Sequence, residues 1–151
     1  MNSEFDCVLV RYGEIFLKGP AVRRKFELRL ARNTSDCLDW AGLDHTLTRI
    51  RGRMIIKTPT PKEACTAISN VFEVVSISTA VTIESNLQTI GRSVLRLAAG
   101  KIDAGTSFAI DTNRGNKSFP KTSQDVNTEI GEMVRKETGG RVDLGKPSVT
   151  I

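Results

Sequence analysis

The residues best suited to chemistry in this chain are cations near its beginning, and the chemistry that they suit is phosphate binding. An apolar run ends before Tyr12, and a loop between Gly13 and Gly19 leads to Pro20, which is typical of a helix start. A loop between a strand end and a helix N-terminus is a good place to hold a phosphate chain. The spacing is equally typical of a solvated surface helix. The cations that we predict to bind RNA here are Arg11, Lys18, Arg23, Arg24, Lys25, Arg29 and Arg32.

A second polar group lies in residues 113–121, which contain three cations, no acid and one aromatic residue. Arginine can grip a phosphate with two donors, whereas lysine acts as a point charge. Phe119 could stack on an unpaired base, but Phe119-Pro120 is also typical of apolar packing against the following helix, and we favour the packing role. The residues of this loop that we predict to bind RNA are Arg114, Asn116, Lys117 and Lys121.

Catalytic and metal-binding patterns are missing from the sequence. Cys7, Cys37 and Cys65 form no C-x-x-C pair, and His45 is the single histidine, so neither a metal site nor a disulfide framework is indicated. Residues 140–146 fit G-x-x-x-x-G-K, but Pro147 follows instead of Ser or Thr, and the segment leads into a strand rather than a helix. We therefore predict no catalytic residue, metal or cofactor in this chain, and whether it acts as an enzyme is left uncertain.

The distribution of charge favours a polyanionic partner. The chain of 151 residues has a net charge of +5, and residues 11–57 hold 11 Lys and Arg against 5 Asp and Glu. The remainder is nearly balanced, so the basic excess lies at the front, as in a nucleic-acid-binding face. No window approaches eighteen apolar residues, and the first residues do not resemble a signal peptide, so we expect a cytoplasmic protein without a membrane partner.

The first half of the chain has the element order β-α-β-β-α-β, which predicts a ferredoxin-like domain over residues 1–83. The long helix would bury an apolar stripe at Val22, Phe26, Leu30 and Leu38 and end at Gly42. The predicted elements are a strand at 5–10, a helix at 20–40, a hairpin of strands 46–50 and 53–58, a helix from Pro61 and a strand at 73–83.

Residues 84–151 predict a second α/β domain, which makes the whole chain α+β. Ser85-x-x-Gln88 and Thr122-x-x-Asp125 are capping-box patterns that open two helices, and Gly139-Gly140 ends the second. That helix would bury Val126, Ile130, Met133 and Val134. Strands are predicted at 106–112, 141–144 and 148–151, and the last one stops with its alternation unfinished, so we expect this domain to be incomplete at its C-terminus.

Two sets of residues resemble one known family. Arg11 to Gly19, followed by Arg23, Phe26-Glu27, Leu30 and Asn33, is similar to the opening of the tRNA 4-thiouridine synthetases, also called tRNA sulfurtransferases. Arg114 to Pro120, with Thr122-Ser123, Ile130-Gly131, Val142-Asp143-Leu144 and Pro147, resembles the THUMP domain that follows in that family. Glu73 departs from the family pattern, in which we expect a glycine.

The resemblance implies a ferredoxin-like domain and a THUMP domain that together dock the acceptor stem and 3′ end of tRNA, mainly through phosphates and shape. In the family, an ATP-pyrophosphatase domain adenylates the uridine at tRNA position eight before sulfur arrives from a persulfide. The implied partners are therefore tRNA, a catalytic domain or subunit that uses ATP and magnesium, and a persulfide donor.

Two other functions stay open from the sequence. The THUMP motif is shared with certain tRNA methyltransferases and deaminases, so the chain could be the RNA-binding region of a tRNA methyltransferase. Alternatively, the unfinished sheet edge could capture a strand of a partner protein or support a homodimer.

Overall fold

The chain folds into two compact units, residues 1–82 and residues 83–151, and each is described by itself. The structure is a computed structural model that describes residues 4–13, 19–50, 52–71 and 74–151. Both units combine helices with a sheet, which confirms the predicted α+β class. No helix in the described ranges has the length and apolar character needed to cross a membrane.

The first unit has the predicted β-α-β-β-α-β order. The elements are β1 Cys7–Tyr12, α1 Pro20–Trp40, β2 Thr46–Ile50, β3 Arg53–Lys57, α2 Pro61–Ile68 and β4 Val74–Ala80. The four strands form an antiparallel sheet in the spatial order β2-β3-β1-β4, in which the hairpin strands β2 and β3 are neighbours. This confirms the ferredoxin-like prediction.

Both helices of this unit cover the same face of the sheet. Alternate residues of β1 and β3 point toward them, because successive side chains of a strand project to opposite faces. The buried cluster joins these strand residues to α1 and α2, and its members are Val8, Val10, Tyr12, Leu30, Leu38, Met54, Ile56, Ala64 and Ile68. The other face of the sheet carries the intervening residues.

The predicted apolar stripe of α1 is wrong in its first half. Leu30 and Leu38 are buried, but Val22 is 45% exposed and Phe26 is 36% exposed. The 21 residues of α1 extend over roughly 31 Å at a helical rise. The longest strand of the sheet, with 7 residues, spans only about 23 Å. The sheet is therefore too short to cover the whole helix, and the burial of α1 is confined to its C-terminal part. Gly42 follows the helix end with φ 68°, as predicted.

The second unit is a three-stranded parallel sheet packed with two helices. The elements are α3 Leu87–Ala98, β5 Ser107–Ala109, α4 Ser123–Thr138, β6 Arg141–Val142 and β7 Val149–Thr150. The strand order is β6-β5-β7, with β5 in the centre. Phe108 of β5 packs with Ala98, Ile102, Ile110 and a stripe of α4, Val126, Ile130 and Val134.

Helix ends in this unit follow the predicted chemistry with one exception. Thr122 and Asp125 form the predicted capping box of α4, and Gly139 ends that helix with φ 75°. The exception is α3, where the cap is Asn86 rather than Ser85, because the Asn86 side chain accepts the N–H of Thr89 at 2.8 Å. An amide oxygen is as good a cap as a hydroxyl, and the pattern does not distinguish neighbouring candidates.

Three details of the second unit also differ from the sequence prediction. Strand β5 is shorter than predicted, since it spans only Ser107–Ala109. Met133 is 38% exposed, and only its end reaches across to Gly91 of α3. Strand β6 stops at Val142 because Asp143 forms a turn, in which its carboxylate accepts the N–H groups of Gly145 and Lys146. This turn confirms that the G-x-x-x-x-G-K segment leads away from a helix rather than into one.

Candidate nucleic-acid interface

The cations of α1 all lie between Arg23 and Arg32. We call Arg23, Arg24, Lys25, Arg29 and Arg32 the basic helix surface. All of them except the half-buried Arg23 are exposed, and none forms an ion pair with another described residue. Helical spacing places Lys25, Arg29 and Arg32 in one row, and they line a groove of about 710 Å³ together with Val22, Phe26, Leu28 and Asn33. Uncompensated charge beside a groove suits an anionic ligand.

Glu27, the one acid within the first half of α1, does not neutralise the basic helix surface. The Glu27 carboxylate lies 4.0 Å from the Arg49 guanidinium of β2, and its side chain is largely buried. Tyr12 is nearby and 4% exposed, and its hydroxyl has no hydrogen-bond partner in the part of the chain that the structure describes. Burial, together with the negative charge of Glu27, raises the pKa of Tyr12 to about 12. Tyr12 is therefore neutral at physiological pH and serves the core rather than proton transfer.

Arg11 does not join the basic helix surface. Val10 and Tyr12 point toward α1, so strand alternation sends Arg11 to the opposite face of the sheet. There its guanidinium donates to the hydroxyls of Ser78 at 3.1 Å and Ser76 at 3.4 Å. The sequence grouped Arg11 with the α1 cations because they are close along the chain. Lys18, the other predicted site residue in this stretch, lies outside the described residues.

In the second unit, Arg114 and Asn116 shape the loop 113–121 from within. The Arg114 guanidinium donates to the carbonyl oxygens of Lys121 at 3.0 Å and Phe119 at 3.3 Å. The Asn116 carbonyl oxygen accepts the N–H of Ser118 at 3.0 Å and the hydroxyl of Ser118 at 2.8 Å. Both predicted site residues therefore also have a structural role, which the sequence did not indicate.

The two lysines of this loop differ in how their charge is compensated. Lys117 is exposed and has no hydrogen bond or ion pair with another described residue. Lys121 forms an ion pair with Glu129 of α4, and this hydrogen bond raises the pKa of Lys121. An external anion would have to compete with Glu129 for Lys121, whereas Lys117 is available as it stands.

The loop also borders a cavity of about 430 Å³ within the second unit. Phe119 is half-buried and packs against the core cluster that contains Val126, which agrees with the predicted packing role. Phe119 also lines the cavity, together with Ile90, Ser85 and Thr112. An apolar wall beside hydrogen-bonding groups is the usual composition of a pocket for a planar ring.

Sequence reasoning missed two cations, Arg53 and Lys57 of β3. Both lie on the same face of the sheet as Arg11, because Arg53 pairs with Arg11 and Lys57 pairs with Cys7 in the strand register. The alternation of Arg-Met-Ile-Ile-Lys was the signal that could have revealed them, since residues 53 and 57 differ by an even number of positions and so lie on one face of a strand.

Two family models match the chain over almost its whole length. The ThiI ferredoxin-like domain matches residues 7–78, and the THUMP domain matches residues 84–151. Among curated relatives, a probable tRNA sulfurtransferase of Bacillus velezensis is 32% identical over 97% of this chain and 37% of its own length. Another of Methanosarcina acetivorans is 38% identical over 97% of this chain and 36% of its own length. The chain thus spans well under half the length of these relatives.

Solved structures give the same fold. PH1313 from Pyrococcus horikoshii has a TM-score of 0.86 and 32% identity, covering 97% of this chain and 49% of its own. A 4-thiouridine synthetase crystallised in complex with RNA and bound ATP has a TM-score of 0.76 and 23% identity, covering 96% of this chain and 37% of its own. At that identity the second comparison supports the fold alone. The chain therefore belongs to the tRNA sulfurtransferase family, of which it represents the ferredoxin-like and THUMP domains.

Proposed function

We propose that this chain is the tRNA-binding region of a 4-thiouridine synthetase and that it holds the acceptor stem and the unpaired 3′ end for modification of uridine 8. The observation that carries the proposal is the row of uncompensated cations on α1, in a chain whose two domains match those of the tRNA sulfurtransferases. The RNA-bound 4-thiouridine synthetase of the same fold adds support.

The basic helix surface is suited to the paired acceptor stem. Side chains cannot read bases in the narrow major groove of A-form RNA, so a stem is bound mainly through phosphates. Lys25, Arg29 and Arg32 form a straight row along the helix and contribute charge without requiring a particular sequence. Each phosphate contact releases counterions, which gives affinity that falls steeply with salt.

The cavity beside the loop 113–121 is suited to an unpaired nucleotide. Single-stranded RNA is bound by stacking bases on apolar or aromatic side chains while cations follow the backbone. Phe119 and Ile90 supply the apolar wall. Lys117 does not line the cavity, but it is exposed in the same loop and supplies an available charge. In this assignment Arg114 keeps the loop in shape and offers its remaining donors to the RNA.

The chemical step is assigned to the rest of the enzyme. We propose that ATP, magnesium and the persulfide donor act in an ATP-pyrophosphatase domain to which this region presents tRNA. In the described ranges no group of three or more His, Cys, Asp or Glu is arranged to hold a metal ion. The relatives are sulfurtransferases, which favours this enzyme over the tRNA methyltransferase that the THUMP motif alone allowed.

The proposal is tested by reversing a charge that has no structural role. Lys117→Glu should weaken binding of a tRNA in gel shifts and flatten the dependence of log K on log salt by about one ion. Arg114→Glu should do the same but should also unfold the loop, so Lys117 gives the cleaner result. Lys62→Glu, on the exposed part of α2, is a matched control that should bind normally. Unchanged affinity and slope in both loop variants would show that these positions are not RNA contacts.

Size-exclusion chromatography distinguishes the alternative function. A chain that elutes with tRNA as a complex supports the proposal. A chain that ignores tRNA and co-elutes only with a protein would instead be an interaction adaptor, and the proposed function would be wrong.

A further inference from the structure

The four-stranded sheet of the first unit has a second face that the basic helix surface does not explain. Both helices pack against the face formed by residues such as Val10 and Met54, so the residues between them project the other way. We call this opposite side the helix-free sheet face. Its polar side chains are Arg11, Thr46, Thr48, Arg53, Lys57, Ser76 and Ser78, and the apolar residues Leu9, Ile50 and Ile55 lie among them.

Within its four strands, this face carries positive charge and no acid. None of the four strands contains Asp or Glu. Within the described ranges, Arg53 and Lys57 form no ion pair, and the hydrogen bonds of the Arg11 guanidinium go to the hydroxyls of Ser76 and Ser78. The cations of α4 differ in this respect, because Arg135 and Lys136 both pair with Glu132 on the same helix.

Two of the cations are placed directly against each other. Arg11 of β1 is the register partner of Arg53 of β3, and both side chains lie on the helix-free sheet face. Like charges opposite each other in neighbouring strands destabilise a sheet. An anion bound between the two guanidinium groups would relieve this repulsion. The hydroxyls of Ser76 and Ser78 bind a single nitrogen of the Arg11 guanidinium, which leaves its other nitrogens for such an anion.

The surface is also accessible. Thr48 and Lys57 are exposed, Arg53 is half-buried, and Ile50 at the end of β2 is 48% exposed. Cores of protein–protein interfaces are depleted of charged residues, so a cluster of unpaired Arg and Lys beside hydroxyls fits a phosphate backbone better than an apolar protein surface. Arginine forks and hydroxyls are the common donors to phosphate oxygens.

We propose that the helix-free sheet face is a second RNA contact surface, which binds backbone phosphates of a tRNA segment other than the one on the basic helix surface. This inference rests on the proposed function. Because α1 and the helix-free sheet face lie on opposite sides of a two-layer unit, one straight stem does not reach both. The second contact therefore belongs to a different part of the folded tRNA.

The test is removal of the two cations that pair with no described residue. Arg53→Gln combined with Lys57→Gln should lower tRNA affinity by on the order of tenfold and reduce the slope of log K against log salt by roughly 1.4 to 1.8. The thermal midpoint should stay unchanged or rise, since the variant removes the Arg11–Arg53 repulsion. Lys62→Gln on α2 is the matched control, which also removes one exposed cation but lies on the helical side.

Cross-linking gives an independent readout. A photo-reactive residue in place of Thr48 should attach to tRNA at nucleotides different from those that are attached from position 25 of α1. If the double variant binds tRNA with the affinity and slope of Lys62→Gln, and position 48 yields no cross-link, the inference is overturned. In that case the proposed function still stands provided that neutralising Lys25, Arg29 and Arg32 weakens binding; if that variant is also without effect, the proposed function fails with it.

Discussion

The two predicted RNA-binding regions differ in what their cations do before any RNA arrives. On α1, Lys25, Arg29 and Arg32 are exposed and make no ion pair with a described residue, so the helix folds without their charge. In the loop 113–121, Arg114 ties the loop closed and Lys121 pairs with Glu129. The cations on α1 therefore remain available to an anionic ligand, whereas two of the loop cations already stabilise the loop conformation. The difference predicts that substitutions on α1 change binding alone, and that substitution of Arg114, which bonds within the loop, changes binding and stability together.

The largest effect is expected from the basic helix surface. The triple variant Lys25→Gln, Arg29→Gln and Arg32→Gln should weaken tRNA binding by about two orders of magnitude and lower the salt slope by roughly 2 to 3. Its thermal midpoint should match that of the unmodified chain, because surface substitutions without a described partner change stability little. Filter binding at several salt concentrations and a thermal melt provide the two readouts. A clear loss of stability would show that these three side chains also stabilise the fold, which would contradict the difference between the two regions.

The next effect concerns Arg114. Arg114→Gln removes the charged donor to the carbonyl oxygens of Phe119 and Lys121. A hydrogen bond from a charged donor contributes about 1.5 to 3 kcal/mol. For a unit of this size, that corresponds to a thermal midpoint lowered by roughly 10 to 20 °C, with weaker tRNA binding in the same variant. Lys117→Gln is the matched control that should reduce affinity without lowering the midpoint. Equal midpoints for both variants would contradict a structural role for Arg114.

A smaller effect, on the stability of the fold at low pH, is expected at the N-terminus of α4. The hydroxyl and N–H of Thr122 hold the pKa of Asp125 below its usual value, with help from the charges of Lys121 and Arg114. The carboxylate therefore contributes stability that is fully present above its unfolded pKa of about 4 and is lost as pH falls through the lower folded pKa. Asp125→Asn should therefore make the free energy of unfolding depend less on pH in the acid range. Denaturant melts between neutral and strongly acidic pH measure this dependence, and an unchanged dependence would exclude the carboxylate as its source.

The smallest effect should be a gain in tRNA affinity. Glu129→Gln removes the partner of Lys121 and one negative charge next to the loop. We expect tRNA affinity to rise by about two- to threefold with little change in stability, since exposed ion pairs contribute about 0 to 1 kcal/mol. Glu132→Gln on α4, which releases Arg135 and Lys136 outside the loop, is the control and should leave binding unchanged. Weaker binding of Glu129→Gln would indicate that the pair itself shapes the RNA site.

Local sequence signals were sufficient for most of the fold. Pro20, Gly42, the Thr122–Asp125 box and Gly139 mark helix ends that depend only on neighbouring residues, and they lie where predicted. The exposure of Val22 and Phe26 was not predictable from periodicity, because it depends on the length of a sheet that the helix outgrows. The cap at Asn86 instead of Ser85 reflects two adjacent residues of nearly equal capping strength.

The candidate site was predictable in its residue types but less so in its arrangement. Counting cations identified the basic helix surface and the loop, since charge density is a property of the sequence itself. Closeness along the chain grouped Arg11 with α1, although strand alternation places it on the other face beside Arg53. The internal bonds of Arg114 depend on where the loop carbonyls fold back, which no short pattern specifies.

The proposed function requires above all that both basic regions contact one tRNA molecule. Photo-reactive residues placed at positions 25 and 117 of the same chain, irradiated with equimolar tRNA, test this directly. We predict a product in which one tRNA carries both cross-links, with position 117 attached near the 3′ end and position 25 attached in the acceptor stem. Single cross-links that never occur together on one tRNA, or a complex that needs two tRNA molecules to occupy both positions, would contradict the account.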